Sequence, residues 1–257
     1  MRFYNTPKKD TMRCKSFLLI ALATAFAFTA CDSGNKESDK TEKKSNYIRK
    51  YRDDGTLLSV TSVNKEKYAH GVKVNYYEDG KAVHSKITYN NGRKDGPAIW
   101  YYKNGQVFEH TGFKENMRHG VTRKYYKSGK LMAEYTYEYD QVLPGLKEYT
   151  EEGELIIDYP DIRVREIDKL KSENKLVLEI STSDKTKNTR YYQLVKLNER
   201  QSGRSYLDSK NDVCQMEFYV HPGNVLIKTV EFYAEIPTSL GNYYIVKKHH
   251  DINVMNL

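Results

Sequence analysis

The sequence predicts an all-β chain, an elongated antiparallel sheet of repeated hairpins followed by a small β-sandwich-like domain. Three observations lead there. Turn glycines recur at a 24–25 residue period between residues 47 and 155. A pair of aromatic positions recurs at fixed distance before them, as in "GVKVNYYEDG", "GPAIWYYKNG" and "GVTRKYYKSG". Past residue 155 the period stops, while short β-rich segments separated by turn residues continue.

The N-terminal 30 residues read as a signal peptide. A short basic stretch precedes the 14-residue apolar run Phe17–Ala30, and a small residue precedes Cys31. A span across a bilayer needs about 20 apolar residues, so a cleaved segment fits better. Residues 1–11 add nothing such a signal needs, which makes Met12 the alternative start. Phe28-Thr29-Ala30-Cys31 resembles a bacterial lipobox, with Phe28 where an aliphatic residue is usual. That resemblance implies lipidation of Cys31 and anchoring in the bacterial cell envelope, at the outer membrane, with the face left open. Residues 31–46 then form the lipidated cysteine and a polar tether. Asp32–Asn46 has no side chain suited to core burial, and its flexible reach is on the order of 20 Å.

Removing the signal changes the arithmetic. The whole chain is +8; without the five bases and one acid of residues 1–30 it holds 37 bases against 33 acids, or +4. An exported chain with so small an excess is not expected to bind nucleic acid. Of the three cysteines, Cys14 leaves with the signal and Cys31 carries lipid, so Cys214 is alone and a buried role is expected for it.

Residues 47–155 are the repeats. Gly55, Gly80, Gly105, Gly129 and Gly153 each follow a polar pair, and Asp-Gly and Asn-Gly are signals for two-residue hairpin turns. Gly71, Gly96, Gly120 and Gly145 open the strand before each turn. Each unit is therefore a β-hairpin, stacked on its neighbours. Tyr51, Tyr76, Tyr101, Tyr125 and Tyr149 stand four residues before the turn glycines. Alternation along the strand puts them on the face of Val72, Val74, Ile99 and Val121, which reads as the packed face. Tyr77, Tyr102 and Tyr126 share the wetter face with Lys73, Trp100 and Lys124, and these six form the candidate binding face. Arg52 and Thr150 replace the second tyrosine in the terminal units.

The pattern G-x4-YY-x2-G at this period resembles the MORN-variant repeat, found in proteins classed as YwqK-type antitoxins. The resemblance covers about half of the mature chain. It implies a single-layer antiparallel sheet of hairpins and direct binding of a protein partner, with toxin neutralisation as one form. An export signal departs from a cytoplasmic antitoxin and suits an immunity-like envelope lipoprotein.

Residues 156–257 read as strands such as "KLVLEIST", "TRYYQLVKL" and "VLIKTVEFYAEI", broken by "TSDKTKN", "HPGN" and "PTSLGN". They predict a sandwich, immunoglobulin-like in outline; the alternative is that they extend the repeat sheet. No cofactor or metal site is expected. Seven histidines show no ligand spacing, and His249-His250 point to opposite faces of a strand. No hydrolase elbow or phosphate loop appears. The expected function is non-enzymatic binding of a protein partner through the aromatic face, with glycan or phospholipid recognition as the alternative.

Overall fold

The computed structural model describes residues 46–196 and 202–257. The expected signal, Cys31 and all of the tether but Asn46 lie outside the described residues. Among the described residues no helix is long and apolar enough to cross a membrane.

The repeats form one antiparallel meander: β1 (Tyr47–Tyr51), β2 (Leu57–Val63), β3 (Ala69–Tyr76), β4 (Val83–Asn90), β5 (Arg93–Tyr101), β6 (Val107–Lys114), β7 (Met117–Arg118), β8 (Gly120–Tyr125), β9 (Leu131–Glu138), β10 (Gln141–Val142), β11 (Lys147–Tyr149) and β12 (Leu155–Ile156). Each lies beside its predecessor in sequence, with β7 and β8 both on β6 and β10 and β11 both on β9. The turn glycines have φ from 64° to 99°, the left-handed region that favours glycine. The turn itself differs from the expected two-residue form. Gly55 N–H donates to the Arg52 carbonyl three residues back, and Asp53 and Asp54 keep negative φ. The glycine therefore follows a type I turn as a bulge residue. The Oδ1 atoms of Asp54, Asp79 and Asn104 each accept the backbone N–H two residues on, at 2.9, 2.8 and 3.1 Å. This explains the polar residue before each of these glycines. Two-residue turns do occur, at the opposite edge: Asn91-Gly92, Glu115-Asn116 and Tyr139-Asp140 all have positive φ.

The packed face is the reverse of the one expected. Registers place Ser85 opposite Trp100, Ile87 opposite Ala98 and Ala98 opposite Thr111. Ala98, Thr111, Thr122 and Ala133 are 0% exposed, all on the Trp100 face. On the Tyr101 face Val72 and Val121 remain 42% and 41% exposed. The reason lies in the second strand of each hairpin, which the pre-turn strands do not reveal. Small residues there (Ser85, Thr111, Ala133) sit beneath longer neighbours. The first tyrosines instead pair across the hairpin end with aliphatic residues: Tyr51 with Leu57, Tyr76 with Val83, Tyr101 with Val107, Tyr125 with Leu131 and Tyr149 with Leu155. Such cross-strand pairs stabilise a single layer by about 0.2–1 kcal/mol each.

The remaining elements are β13 (Ile162–Lys169), the one-turn α1 (Leu170–Glu173), β14 (Lys175–Thr182), β15 (Arg190–Lys196), β16 (Ser202–Leu207), β17 (Ser209–Lys210), β18 (Val213–Tyr219), β19 (Val225–Pro237) and β20 (Tyr243–Met255). They do not extend the repeat sheet. They form two four-stranded sheets, β13-β14-β18-β17 and β16-β15-β19-β20. Alternate residues Leu176, Leu178 and Ile180 of β14 pack against Val230, Phe232, Ala234 and Ile236 of β19, giving a sandwich core. Burying each large aliphatic or aromatic side chain there contributes about 1.5–3 kcal/mol. Cys214 is wholly buried in this core, and burial pushes its thiol up to about 11, which keeps it unreactive at neutral pH.

Candidate binding face

Strand registers bring Lys73, Trp100 and Lys124 to one face. Lys73 faces Ile87, Asn75 faces Ser85, Ser85 faces Trp100, Trp100 faces Glu109 and Glu109 faces Lys124. Three more aromatics, not identified by the tyrosine pattern, join them. Tyr89, Phe113 and Tyr137 stand directly opposite the left-handed glycines Gly71, Gly96 and Gly120. Their 24-residue spacing was the signal that could have found them. Trp100 and Phe113 have ring centroids 6.4 Å apart, and Lys94 Nζ lies 4.9 Å from the Phe113 centroid. That is the geometry of a cation–π contact.

Tyr77, Tyr102 and Tyr126 do something else. Each hydroxyl donates to the backbone carbonyl of the first tyrosine in the following unit: Tyr77 to Tyr101 at 2.5 Å, Tyr102 to Tyr125 at 2.8 Å and Tyr126 to Tyr149 at 2.7 Å. Arg52 takes the same place in the first unit, its Nη2 donating to the Tyr76 carbonyl at 2.8 Å. These residues are tethers between units rather than a row open for ligand. Burial raises the Tyr102 and Tyr126 phenol pKa values above the ordinary value. The rings of Tyr77 and Tyr102 also stand edge-on to His84 and Phe108, at 4.8 and 5.2 Å. At the other edge the Gly92, Asn116 and Asp140 N–H groups donate to the Ala69, Lys94 and Arg118 carbonyls of the preceding unit. Each central unit is thus fastened at both ends.

The MORN repeat variant model matches residues 94–115 and 118–139. These two segments are similar to MORN-variant units. Each runs from one two-residue turn to the next, and each contains a tether tyrosine. The unit before them, with Tyr77 and its bond to Tyr101, is built the same way. No curated protein matches the chain.

From the second of these units onward the Trp100 face is covered by the chain itself. Lys124 Nζ donates to Asn242 Oδ1 at 2.7 Å, so this lysine is engaged within the molecule. Glu148 is buried and accepts from Thr238 Oγ1 at 2.7 Å, Asn242 Nδ2 at 2.6 Å and the Tyr159 hydroxyl at 3.1 Å. Tyr159 stacks on Tyr244 at 4.3 Å, and Tyr244 packs on the cluster of Ala133, Tyr135, Tyr137 and Leu146. Burial lowers the Lys124 pKa and raises that of Glu109, against the attraction between them. Among the described residues, the hydrogen bonds and ring contacts from the sandwich reach this C-terminal part of the sheet and stop short of Tyr89, Trp100 and Phe113. The stretch beyond these contacts holds Lys73, Tyr89, Lys94, Trp100 and Phe113, each half-buried, a surface able to stack and to meet acids.

Proposed function

We propose that this chain is a non-enzymatic, lipid-anchored envelope protein that binds a partner protein through the uncovered part of the Trp100 face. The observation that carries this reading is internal. The same face, two to four strands on, already receives a protein surface, the Asn242–Tyr244 segment of the sandwich, through hydrogen bonds and tyrosine packing. Its continuation offers Trp100 and Phe113 with lysines beside them, and tryptophan and tyrosine dominate interface energetics. The fitting partner presents an apolar side chain flanked by carboxylates. A toxin neutralised by capture is the partner class suggested by the resemblance to YwqK-type antitoxins.

Changing Trp100 and Phe113 together to Ala tests the binding reading. The partner that co-purifies with the wild-type chain is lost, while Tyr101→Phe retains it. Equal recovery by both variants refutes the assignment of this face. Anchoring at Cys31 is tested separately. Cys31→Ser moves the protein out of the membrane fraction, and a variant that still sediments with membranes contradicts lipidation at that residue.

A further inference from the structure

We infer that the cleft between the repeat sheet and the sandwich is a binding groove for a carboxylated sugar, centred on Arg190 and separate from the Trp100 face. Two cavities meet there. One, of about 340 Å³, is bounded by Arg118 and Asp140 of the repeats and by Arg204 and Glu235 of the sandwich. The other, of about 480 Å³, lies beside it on the sandwich alone and is bounded by Asn188, Ser209, Asn211 and Asp212. Arg190 and Tyr243 border both, so the two cavities adjoin across these side chains. Each falls in the size range of small-ligand sites.

One guanidinium points to the class of ligand. Arg118 is matched by Asp140, Nε to Oδ1 at 2.9 Å. The buried Glu235 serves two guanidinium groups, Arg204 and Arg190, the latter at 2.6 Å. With the Asp212 carboxylate of the second cavity, three cations meet three anions, so the groove as a whole is balanced and a ligand carboxylate would be met by one side chain rather than by net charge. Arg204 is held at the back by Glu235 and by the Val142 carbonyl. Arg190 is half-exposed, and its guanidinium stands between the rings of Tyr206 and Tyr243 at 5.3 and 5.4 Å from their centroids. Beyond the Glu235 bond, its remaining N–H groups have no partner among the described residues. A guanidinium held in this way is set for in-plane bonds to a carboxylate.

The second cavity makes the ligand more than a bare anion. Asn188, Ser209 and Asn211 bring amides and a hydroxyl, and the Asp212 carboxylate is fixed by the Asn188 N–H at 2.8 Å. Such groups match vicinal hydroxyls. The exposed part of the Tyr243 ring, between the two cavities, offers the flat apolar surface on which a sugar ring stacks.

Saturation-transfer NMR and calorimetry on the purified full-length protein test the groove, using glucuronate, galacturonate and N-acetylneuraminate against glucose, glucuronate methyl ester and inorganic phosphate. At least one acidic sugar binds, and the matched neutral sugar or ester binds about tenfold more weakly or worse, the usual order for a charge-assisted bond. Arg190→Gln brings the acidic sugar down to the level of the neutral one, with circular dichroism confirming that the fold is kept. Asn211→Ala weakens the sugar without abolishing the preference for the acid. If no acidic sugar binds, if the neutral forms bind equally, or if phosphate binds as tightly and displaces the sugar, the proposal is overturned. The ligand series on the wild-type protein decides the matter even if Arg190→Gln does not fold.

Discussion

The Tyr102 hydroxyl donates to the carbonyl of Tyr125, 2.8 Å away, across the boundary between two repeat units. Tyr77 and Tyr126 repeat the bond one unit earlier and one unit later, and Arg52 supplies it from a guanidinium. A single-layer sheet has no second layer to hold its hairpin ends in place. A side chain that reaches the next hairpin's backbone takes over that task.

Tyr102→Phe removes this donor and keeps the ring. It should destabilise the protein by about 1 kcal/mol, the usual net worth of such a bond, and lower Tm by roughly 2–4 °C for a chain of this size. Tyr101→Phe should be close to neutral, because that tyrosine acts through its ring against Val107. Thermal melts of the two variants check the contrast.

Gly112 is required for space rather than for backbone freedom. A Cβ there would sit on the His119 carbonyl oxygen, which belongs to backbone and cannot swing away. Gly112→Ala should cost about 1–3 kcal/mol through forced strand displacement. Gly105→Ala meets no atom within 4 Å, and only the left-handed backbone (φ 86°) penalises it. Urea titration of both variants separates the two causes.

Glu148 joins the repeat sheet to the sandwich. Glu148→Ala leaves the Thr238, Asn242 and Tyr159 donors without their buried acceptor. The expected cost is about 1–3 kcal/mol, that of leaving buried neutral donors unsatisfied. Chemical denaturation followed by near-ultraviolet tyrosine signals should show the loss, with Tyr159 and Tyr244 unstacking early.

Glu109 gives the junction a pH dependence. Burial raises its pKa above the ordinary carboxylate value and outweighs the attraction of Lys124. The folded state therefore holds the proton more tightly than the unfolded state. The associated stability is complete below the unfolded value near 4.5 and is lost as pH rises through the folded one. Glu109→Gln has no charge to bury, so it should melt above wild type at pH 7 and level with it at pH 4. Melting curves at the two pH values check this.

The period and the hairpins were legible because a left-handed glycine leaves a mark in sequence at Gly55, Gly80, Gly105, Gly129 and Gly153. The sandwich was legible from alternation in segments such as Leu176–Ile180. The covered face was not, because it is decided by small residues in the strands after the turns, where hydropathy is a poor guide to burial. The second tyrosines looked like a surface row, since a bond to a carbonyl 23 or 24 residues away leaves no local trace. Arg52 reads in sequence as a plain replacement of the second tyrosine for the same reason. What the first unit keeps is a donor at the end of a long side chain, and Arg and Tyr both provide it. Lys124, Glu148 and Arg190 meet partners 45 to 118 residues distant, beyond any motif.

The claim that the Trp100 face takes a partner protein is tested most directly by photo-crosslinking. A photoreactive phenylalanine analogue is placed at position 100 in one chain and at position 99 in another. These neighbours lie on opposite faces of β5, so the two chains differ only in which side they probe. The account predicts a discrete crosslinked partner from position 100 and none from position 99. The same adduct from position 99, or none from position 100 in cells that hold the partner, would contradict it.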